Sequence, residues 1–232
     1  MKALNDPVQL QHYLQLHRIE SIFNEGIQPY LSLYSYDRGE TICAQSEPSH
    51  RLYVLVKGKL KIYTTSAEGK TLILSFKTPL EVIGDIEYVQ NINTINTVEA
   101  VSPVHMIGVP YSILRQYAGD YAPFLQFLLD IITRKFHKKS NSSNFNLMYP
   151  VEVRLASYLL SVIYDEQDGA QNGRLSTSNL TDVANLIGTS YRHLNRVIHQ
   201  FRIDGLINRS KGFIVITHKE ALEALANRNI YE

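Results

Sequence analysis

Cysteine is nearly absent from this chain, and its scarcity excludes two kinds of architecture. The 232 residues contain a single cysteine, Cys43, so no disulfide can form within the chain. One thiol also cannot hold an iron–sulfur cluster, which needs several cysteine ligands, and we expect no such cluster. Small secreted domains are rich in disulfides, so we expect a protein of a reducing cytoplasm. A redox-sensing Cys43 is an alternative, although a buried structural cysteine is the more frequent case.

Long apolar runs and a strong charge excess are also missing. No stretch of about 18 apolar residues occurs, so we expect no membrane span. The first six residues lack the apolar core of a signal peptide. A formal net charge of +1 argues against a protein that coats nucleic acid with its whole surface. With 44% hydrophobic and 19% charged residues, the chain is typical of one large or two ordinary globular domains.

The sequence motifs of several enzyme classes are absent as well. Neither the metalloprotease motif HExxH nor the nucleophile motif GxSxG occurs. Gly69-Lys70-Thr71 matches the end of a phosphate-binding loop, but that loop requires a glycine where this chain has Thr64. The eight histidines are scattered along the chain. We therefore expect neither a catalytic site nor a metal site.

A helix-turn-helix pattern occupies positions 180–199. Apolar residues repeat at intervals of three and four on two consecutive segments, which predicts two amphipathic helices. These residues are Leu180, Val183, Ala184 and Ile187, followed by Leu194, Val197, Ile198 and Phe201. Gly188 lies between the segments, where a tight turn needs a positive φ. Ser190 is placed to cap the second helix with its hydroxyl.

The remaining face of the second helix carries side chains that bind bases or phosphates. The candidate DNA contacts here are Thr189, Ser190, Tyr191, Arg192, Asn195, Arg196 and His199. A basic turn and a strand follow, as in the wing of a winged helix, and Arg209 and Lys211 are its candidate phosphate contacts. Between positions 178 and 212, five basic residues stand against two acidic ones, a local charge of +3. A local cluster of positive charge of this kind is typical of a DNA-binding surface.

Amphipathic helices around a glycine also occur in proteins that bind no DNA. A sensor whose winged helix binds another protein is therefore the alternative function. Arg209 and Lys211 argue against this alternative, because a protein-binding wing does not need their charge.

Short β-branched and aromatic segments precede the helices. Turn residues separate them at intervals of about 8–12 residues, which predicts a β-sandwich or a β-barrel. The predicted strands are 41–44, 51–56, 59–64, 71–76, 95–98 and 104–107, and residues 1–32 are interpreted as helical and irregular. No helix-length pattern interrupts the strands, so a parallel βαβ sheet is not expected.

A long helix with two apolar rows is predicted between positions 122 and 144. The first row, Phe124, Leu128 and Ile131, is suited to cover the β domain. The second row consists of Leu125, Leu129, Ile132 and Phe136. We expect it to pack against a second copy of the same helix. Burial of both rows within one subunit is the alternative.

Taken in order, these elements resemble the cyclic-AMP receptor protein/fumarate–nitrate reduction regulator (Crp/Fnr) superfamily of transcription regulators. The motifs that carry the resemblance are VKGKLKIY (56–63), EGK (68–70), VIGDI (82–86), RLA (154–156) with LL (159–160), VANLIGTS (183–190) and RVI (196–198). They span nearly the whole chain. The segments SYRHL (190–194), QF (200–201) and DGL (204–206) are similar to the YeiL-like branch.

The resemblance implies an α+β protein with three parts. Residues 1–121 form helices and a β-roll of the cyclic-nucleotide-binding type, which acts as the sensor. Residues 122–149 form the dimerisation helix and a hinge, which we place in the polar segment 138–146. Residues 150–232 form the winged helix-turn-helix. The implied partners are a second copy of the chain, a near-palindromic double-stranded DNA operator and RNA polymerase, with no membrane.

The sensor departs from the family members that bind cyclic AMP. Those members carry Gly-Glu-Leu and, further along, an Arg-Ser pair that holds the cyclic phosphate. Here the corresponding positions, and thus the candidate effector pocket, are Gly84, Asp85 and Ile86, then Ile95 and Asn96. No arginine lies between Arg51 and Arg115. A buried phosphate needs a cationic or multi-donor partner, so we do not expect cyclic AMP, and the effector is unknown.

The recognition helix also departs from the common family pattern. Arg196 matches the base-reading arginine of the family, whereas Arg192 replaces a frequent glutamate. We therefore expect an operator that differs from the best-known family consensus.

Overall fold

The strand pattern of the first part of the chain forms two antiparallel sheets in the computed structural model. The strands are β1 (Lys2–Leu4), β2 (Ser32–Tyr36), β3 (Thr41–Cys43), β4 (Arg51–Lys57), β5 (Leu60–Thr65), β6 (Thr71–Lys77), β7 (Glu81–Ile83), β8 (Thr97–Ala100) and β9 (Val104–Pro110). One sheet has the strand order β1–β2–β9–β4–β7 and the other β3–β8–β5–β6. The predicted β-roll is therefore confirmed.

The structure describes residues 1–67, 69, 71–163, 174–177, 180–210 and 212–226. Lys211 and the motif residues Glu68 and Lys70 lie outside the described residues. The chain divides into two compact units, residues 1–135 and residues 136–232.

The first sheet is buried on both faces. Tyr36, Leu60 and Met106 belong to a core between the two sheets. On its other face, Leu52 and Ile107 join a second core with the helices of the first unit. These helices are α1 (Pro7–Leu16), α3 (Tyr111–Tyr117) and the start of α4 (Ala122–Met148), while α2 (Asp85–Gln90) follows β7. This double burial explains why β4 is an almost continuous apolar run rather than an alternating one.

The long helix α4 extends from Ala122 to Met148, four residues beyond its predicted end at Asn144. The predicted hinge, residues 138–146, lies inside this continuous helix. The chain leaves the helix just before Pro150, which lacks an N–H and disfavours the helical conformation of the residue before it. None of the described helices is long and apolar enough to cross a membrane.

The second unit contains the predicted winged helix-turn-helix. Its elements are α5 (Val151–Ile163), β10 (Arg174–Ser176), α6 (Leu180–Leu186), α7 (Tyr191–Ile203), β11 (Ile207–Ser210), β12 (Phe213–Ile216) and α8 (Lys219–Leu225). The strand order is β10–β12–β11. Leu159, Ala184, Leu194 and Ile214 share one buried core. The two amphipathic helices read from the sequence are confirmed.

Candidate DNA interface and sensor cassette

The turn between α6 and α7 is closed by local hydrogen bonds. Gly188 has a φ of +68°, and the N–H of Thr189 donates to the carbonyl oxygen of Ala184 at 2.9 Å. The hydroxyl of Ser190 accepts from the N–H of His193 at 3.2 Å. Because Ser190 satisfies one of the free N–H groups at the helix start, it caps α7 as the sequence predicts.

Helix α7 separates an apolar face from a basic one. Leu194, Val197, Ile198 and Phe201 are buried. Tyr191, Arg192, Arg196 and His199 are exposed. Among the described residues, the guanidinium groups of Arg192 and Arg196 have no intramolecular partner. The chain therefore presents unpaired cations on one side of a rigid helix.

Two of the predicted DNA contacts on this face are already engaged within the protein. The Nδ2 group of Asn195 donates to the carbonyl oxygen of Tyr191 at 3.0 Å, one turn back on the same helix. The Thr189 hydroxyl lies 3.4 Å from Nδ1 of His193. One of the two N–H donors of the Asn195 amide is therefore already used within the helix.

The wing continues the basic surface. Strand β11 pairs with β12, which places Arg209 opposite Ile214. The side chain of Arg209 is exposed, whereas Ile214 is fully buried. The wing is fastened to the strand before α6, because the Thr177 N–H donates to the Gly212 carbonyl oxygen at 2.8 Å.

In the first unit, the candidate effector residues lie in the segment 84–96, which we call the cassette. It begins at Gly84, whose φ is +88°. A Cβ atom there would lie 2.5 Å from the Tyr111 hydroxyl and 2.8 Å from the Arg51 carbonyl oxygen. Such contacts are too short for any side chain, so only glycine fits at this position.

Asp85 is bound by a side chain that the sequence analysis did not single out. Lys135 of α4 donates to both of its carboxylate oxygens at 2.9 Å. The same ammonium donates to the Val82 carbonyl oxygen at 2.5 Å and lies 3.4 Å from Glu81. Asp85 is only 3% exposed. The structure therefore does not favour Asp85 as a ligand group, and no local signal in the sequence pairs it with Lys135.

In the second part of the cassette, another carboxylate accepts a hydrogen bond from the backbone. Oε1 of Glu87 accepts from the Ile95 N–H at 3.0 Å. The preceding N–H, that of Thr94, donates to the Glu47 carbonyl oxygen at 2.9 Å. Two consecutive amide donors thus have protein acceptors, at the place where the resemblance puts a phosphate. These bonds also explain why β8 begins at Thr97, two residues later than predicted.

Neither the roll interior nor the nearby cleft is lined by the five candidate effector residues. The buried core between the sheets includes Tyr34, Tyr36, Leu55 and Met106. A cleft of about 460 Å³ opens beside the cassette and is lined by Ser49, Glu87, Asn91, Tyr111 and Arg115, among others. Gly84 and Asp85 are buried, while Ile95 is exposed on the cassette surface.

Cys43 lies at the edge of the core between the sheets. Burial raises the pKa of its thiol to about 12. Because the thiolate is the reactive form, this environment favours a structural cysteine over a redox sensor.

The two apolar rows of α4 have different surroundings. Phe124, Leu128 and Ile131 are buried in the first unit, at 0%, 4% and 2% exposure. Leu125, Leu129 and Phe136 are exposed by 43%, 57% and 76%, and Ile132 is half-buried. The first row covers the β domain, as predicted, and the second is left open in a single chain.

Two family profiles match the chain in the order in which its two units occur. The profile of the cyclic nucleotide-binding domain matches residues 33–121. That of the Crp-like helix-turn-helix domain matches residues 153–225. A β-roll sensor followed by a winged helix-turn-helix defines a class of transcription regulators. The chain belongs to the Crp/Fnr superfamily of these regulators.

Individual relatives agree with this assignment. The chain is 27% identical over 194 residues to the regulatory protein YeiL of Escherichia coli O157:H7, covering 84% of this chain and 85% of that protein. It is 25% identical over 210 residues to a CRP-like cAMP-activated global transcriptional regulator of Mycobacterium tuberculosis, covering 85% and 93%. A solved CRP-family transcriptional regulator from Thermus thermophilus has a TM-score of 0.69 and 19% identity, covering 86% of this chain and 98% of that structure.

Proposed function

We propose that this regulator acts as a cytoplasmic homodimer that binds one near-palindromic DNA operator and works by binding rather than by catalysis. The observation that carries the proposal is the exposed basic face of α7, where Arg192 and Arg196 lie opposite the buried Leu194, Val197, Ile198 and Phe201. Arginine is the side chain that most often reads guanine in the major groove. Arg209 on the wing adds a cation suited to the phosphate backbone.

The open row of α4 supports the dimer. Leu125, Leu129 and Phe136 recur on one stripe of a 27-residue helix and remain exposed in the single chain. A second copy of α4 would bury these side chains in a two-fold interface. A two-fold dimer presents two recognition helices, so the half-sites should lie about one helical turn (~34 Å) apart. RNA polymerase is the expected further partner of the DNA-bound dimer.

The occupied cassette supports a sensor that does not take cyclic AMP. Glu87 accepts a hydrogen bond from the Ile95 N–H, and Lys135 donates to the Asp85 carboxylate. A cyclic phosphate that approaches the Ile95 N–H would meet the Glu87 carboxylate, and like charges repel. The relative from Mycobacterium tuberculosis is described as cAMP-activated, so the two regulators would differ in their effector.

The second candidate function is a ligand-sensing module whose winged helix binds a protein. The basic turn with Arg209 and Lys211 argues against it, because a protein-binding wing does not need that charge. DNA binding with a steep salt dependence discriminates between the two functions, since phosphate contacts release counterions.

A mobility-shift experiment tests the proposal directly. The purified full chain is used to select duplexes from a random-sequence library, and the affinity for the enriched duplex is measured over a range of salt concentrations. We expect a near-palindromic sequence to be enriched and the affinity to fall steeply with salt. If no sequence is enriched, or if binding does not depend on salt, the protein-binding alternative is favoured.

A further inference from the structure

A buried arginine outside the recognition helix holds the turn of the helix-turn-helix. Arg154 lies in the first turn of α5 and is 8% exposed. Its Nη1 group donates to the carbonyl oxygens of Ile187 and of Gly188, the latter at 3.3 Å. Both acceptors belong to the turn between α6 and α7. One guanidinium thus spans two consecutive peptide units just before the recognition helix begins.

The two carbonyl groups are natural targets for a cation. They lie at the C-terminal end of α6, where the last carbonyl groups lack helical partners and carry the negative end of the helix dipole. A planar guanidinium has several donors in a rigid arrangement, so it can bind two neighbouring acceptors at once. The side-chain nitrogen of a lysine lies one covalent bond closer to its Cα atom than Nη1 does in arginine, so a lysine here would be too short to bind both carbonyl groups.

The turn is also closed from the side of α4. A Cβ atom on Gly188 would lie 3.2 Å from Nη1 of Arg154 and 3.8 Å from Nδ2 of Asn146. Asn146 belongs to the last part of α4, and its neighbour Phe145 packs onto the core of the second unit. The turn is therefore confined between a side chain of α5 and a side chain of α4.

We propose that Arg154 is a positioning residue for DNA recognition, which sets the start of α7 by clamping the turn that leads into it. Ser190, which caps α7, follows Gly188 by two residues, and Arg192 follows by four. A shift of the turn is therefore passed directly to the N-terminal end of α7. That end carries the side chains nearest to the bases when such a helix enters the major groove. This inference rests on the proposed function, because it assumes that α7 reads DNA.

The positioning role predicts different effects on two affinities, that for the selected duplex and that for a scrambled duplex. A purely structural role would change both affinities together. A misplaced α7 loses its base contacts, whereas its charge and hence its phosphate attraction stay the same. Substitution of Arg154 should therefore lower the affinity for the selected duplex and leave that for a scrambled duplex unchanged.

The experiment uses the full chain with the substitution Arg154→Lys, which keeps the charge but has a side chain too short to reach both carbonyl groups. We expect the ratio of affinities for the selected and the scrambled duplex to fall about tenfold, as for the loss of one base contact. Ser157→Ala is the matched control. It removes a buried hydroxyl in the next turn of α5 (Ser157 is 0% exposed) without touching the turn, and it should leave the ratio unchanged.

A second variant approaches the same contact from the other side. Gly188→Ala places a methyl group 3.2 Å from Nη1 of Arg154 and strains a turn whose φ is +68°, so it should also lower the specificity ratio. An unchanged ratio in a folded Arg154→Lys protein would overturn the proposal, as would an equal loss for both duplexes. If the parent protein enriches no sequence at all, the proposed function itself fails.

Discussion

Lys135 of α4 and Asp85 of the cassette form a buried ion pair, with both carboxylate oxygens 2.9 Å from the ammonium nitrogen. Fifty positions separate the two residues in the sequence. A carboxylate as deeply buried as Asp85 is costly unless it is paired and hydrogen-bonded. The pair therefore fastens the long helix to the segment that resembles an effector site, and makes Asp85 a structural residue in this chain.

Removal of the ammonium should destabilise the first unit. In Lys135→Met, the carboxylates of Asp85 and Glu81 stay buried without their shared cation, so we expect a loss of about 3–5 kcal/mol in the free energy of unfolding. Urea unfolding provides the measurement. Arg134→Met is the control: it removes a neighbouring ion pair with Asp130 whose side chains are 53% and 57% exposed, which should cost less than about 0.5 kcal/mol. Equal losses in the two variants would contradict the assignment.

The same cluster predicts loss of stability in acid. Burial alone would raise the pKa of Glu81, but Lys135 and Lys77 outweigh that effect and hold it below its usual value of 4.5. A carboxyl group with a lowered folded-state pKa stabilises the protein above its unfolded-state pKa, and this contribution is lost as the pH falls through the folded-state value.

Glu81→Gln should therefore flatten the decline in unfolding free energy below about pH 4.5. Urea unfolding over this pH range is the measurement. Glu25→Gln, at an exposed position, should follow the parent curve. A parent-like decline in Glu81→Gln would show that other groups dominate acid unfolding.

The open row of α4 predicts the oligomeric state. Ile132→Asp places a charge in the middle of the proposed two-fold interface, so the molar mass measured by light scattering should fall from that of a dimer to that of a monomer. Val8→Asp is the control, since Val8 is 79% exposed on α1 and should leave the mass unchanged. An Ile132→Asp protein with the parent mass would place the dimer contact elsewhere.

Substitution of a base-reading arginine and of a phosphate-binding arginine in the second unit should affect DNA binding differently. Arg196→Ala should cost about 1–3 kcal/mol and relax the preference at one base pair, because it removes a base contact. Arg209→Ala should weaken all duplexes alike and reduce the salt dependence, as loss of a phosphate contact does; we expect the same of Lys211→Ala. A uniform loss from Arg196→Ala would refute its assignment as a base reader.

The cassette predicts that cyclic AMP does not bind at micromolar concentrations. Titration calorimetry of the full chain with cyclic AMP should show no binding heat, because residues 84–96 contain no arginine and Glu87 already accepts the hydrogen bond of the Ile95 N–H. A dissociation constant in the low micromolar range that is lost on substitution of Gly84 or Asp85 would show that this segment holds the phosphate in another way.

The helix-turn-helix could be predicted because its information is local. Buried residues recur every three or four positions, Gly188 supplies the positive φ, and Ser190 supplies the cap, all within about two dozen residues. Most strands of the roll could be predicted for the same reason. Strands β1, β2 and β7 were missed. β1 and β7 have only three residues each, and β2 contains two serines, so none of them shows a clear apolar pattern.

The sequence by itself therefore determined the family, the two apolar rows of α4 and the basic face of α7, because periodicity and composition are properties of short segments. Only the tertiary structure decided what the charged side chains do. Lys135 meets Asp85, Glu87 meets the Ile95 N–H, and Arg154 meets the Gly188 carbonyl group. Two of these three contacts join residues more than 30 positions apart, and all three depend on how elements pack. In the sequence, a charged side chain is easily interpreted as a ligand group or as a solvated residue. When the fold buries that side chain, it needs a hydrogen-bonding partner within the protein, and its role is then structural.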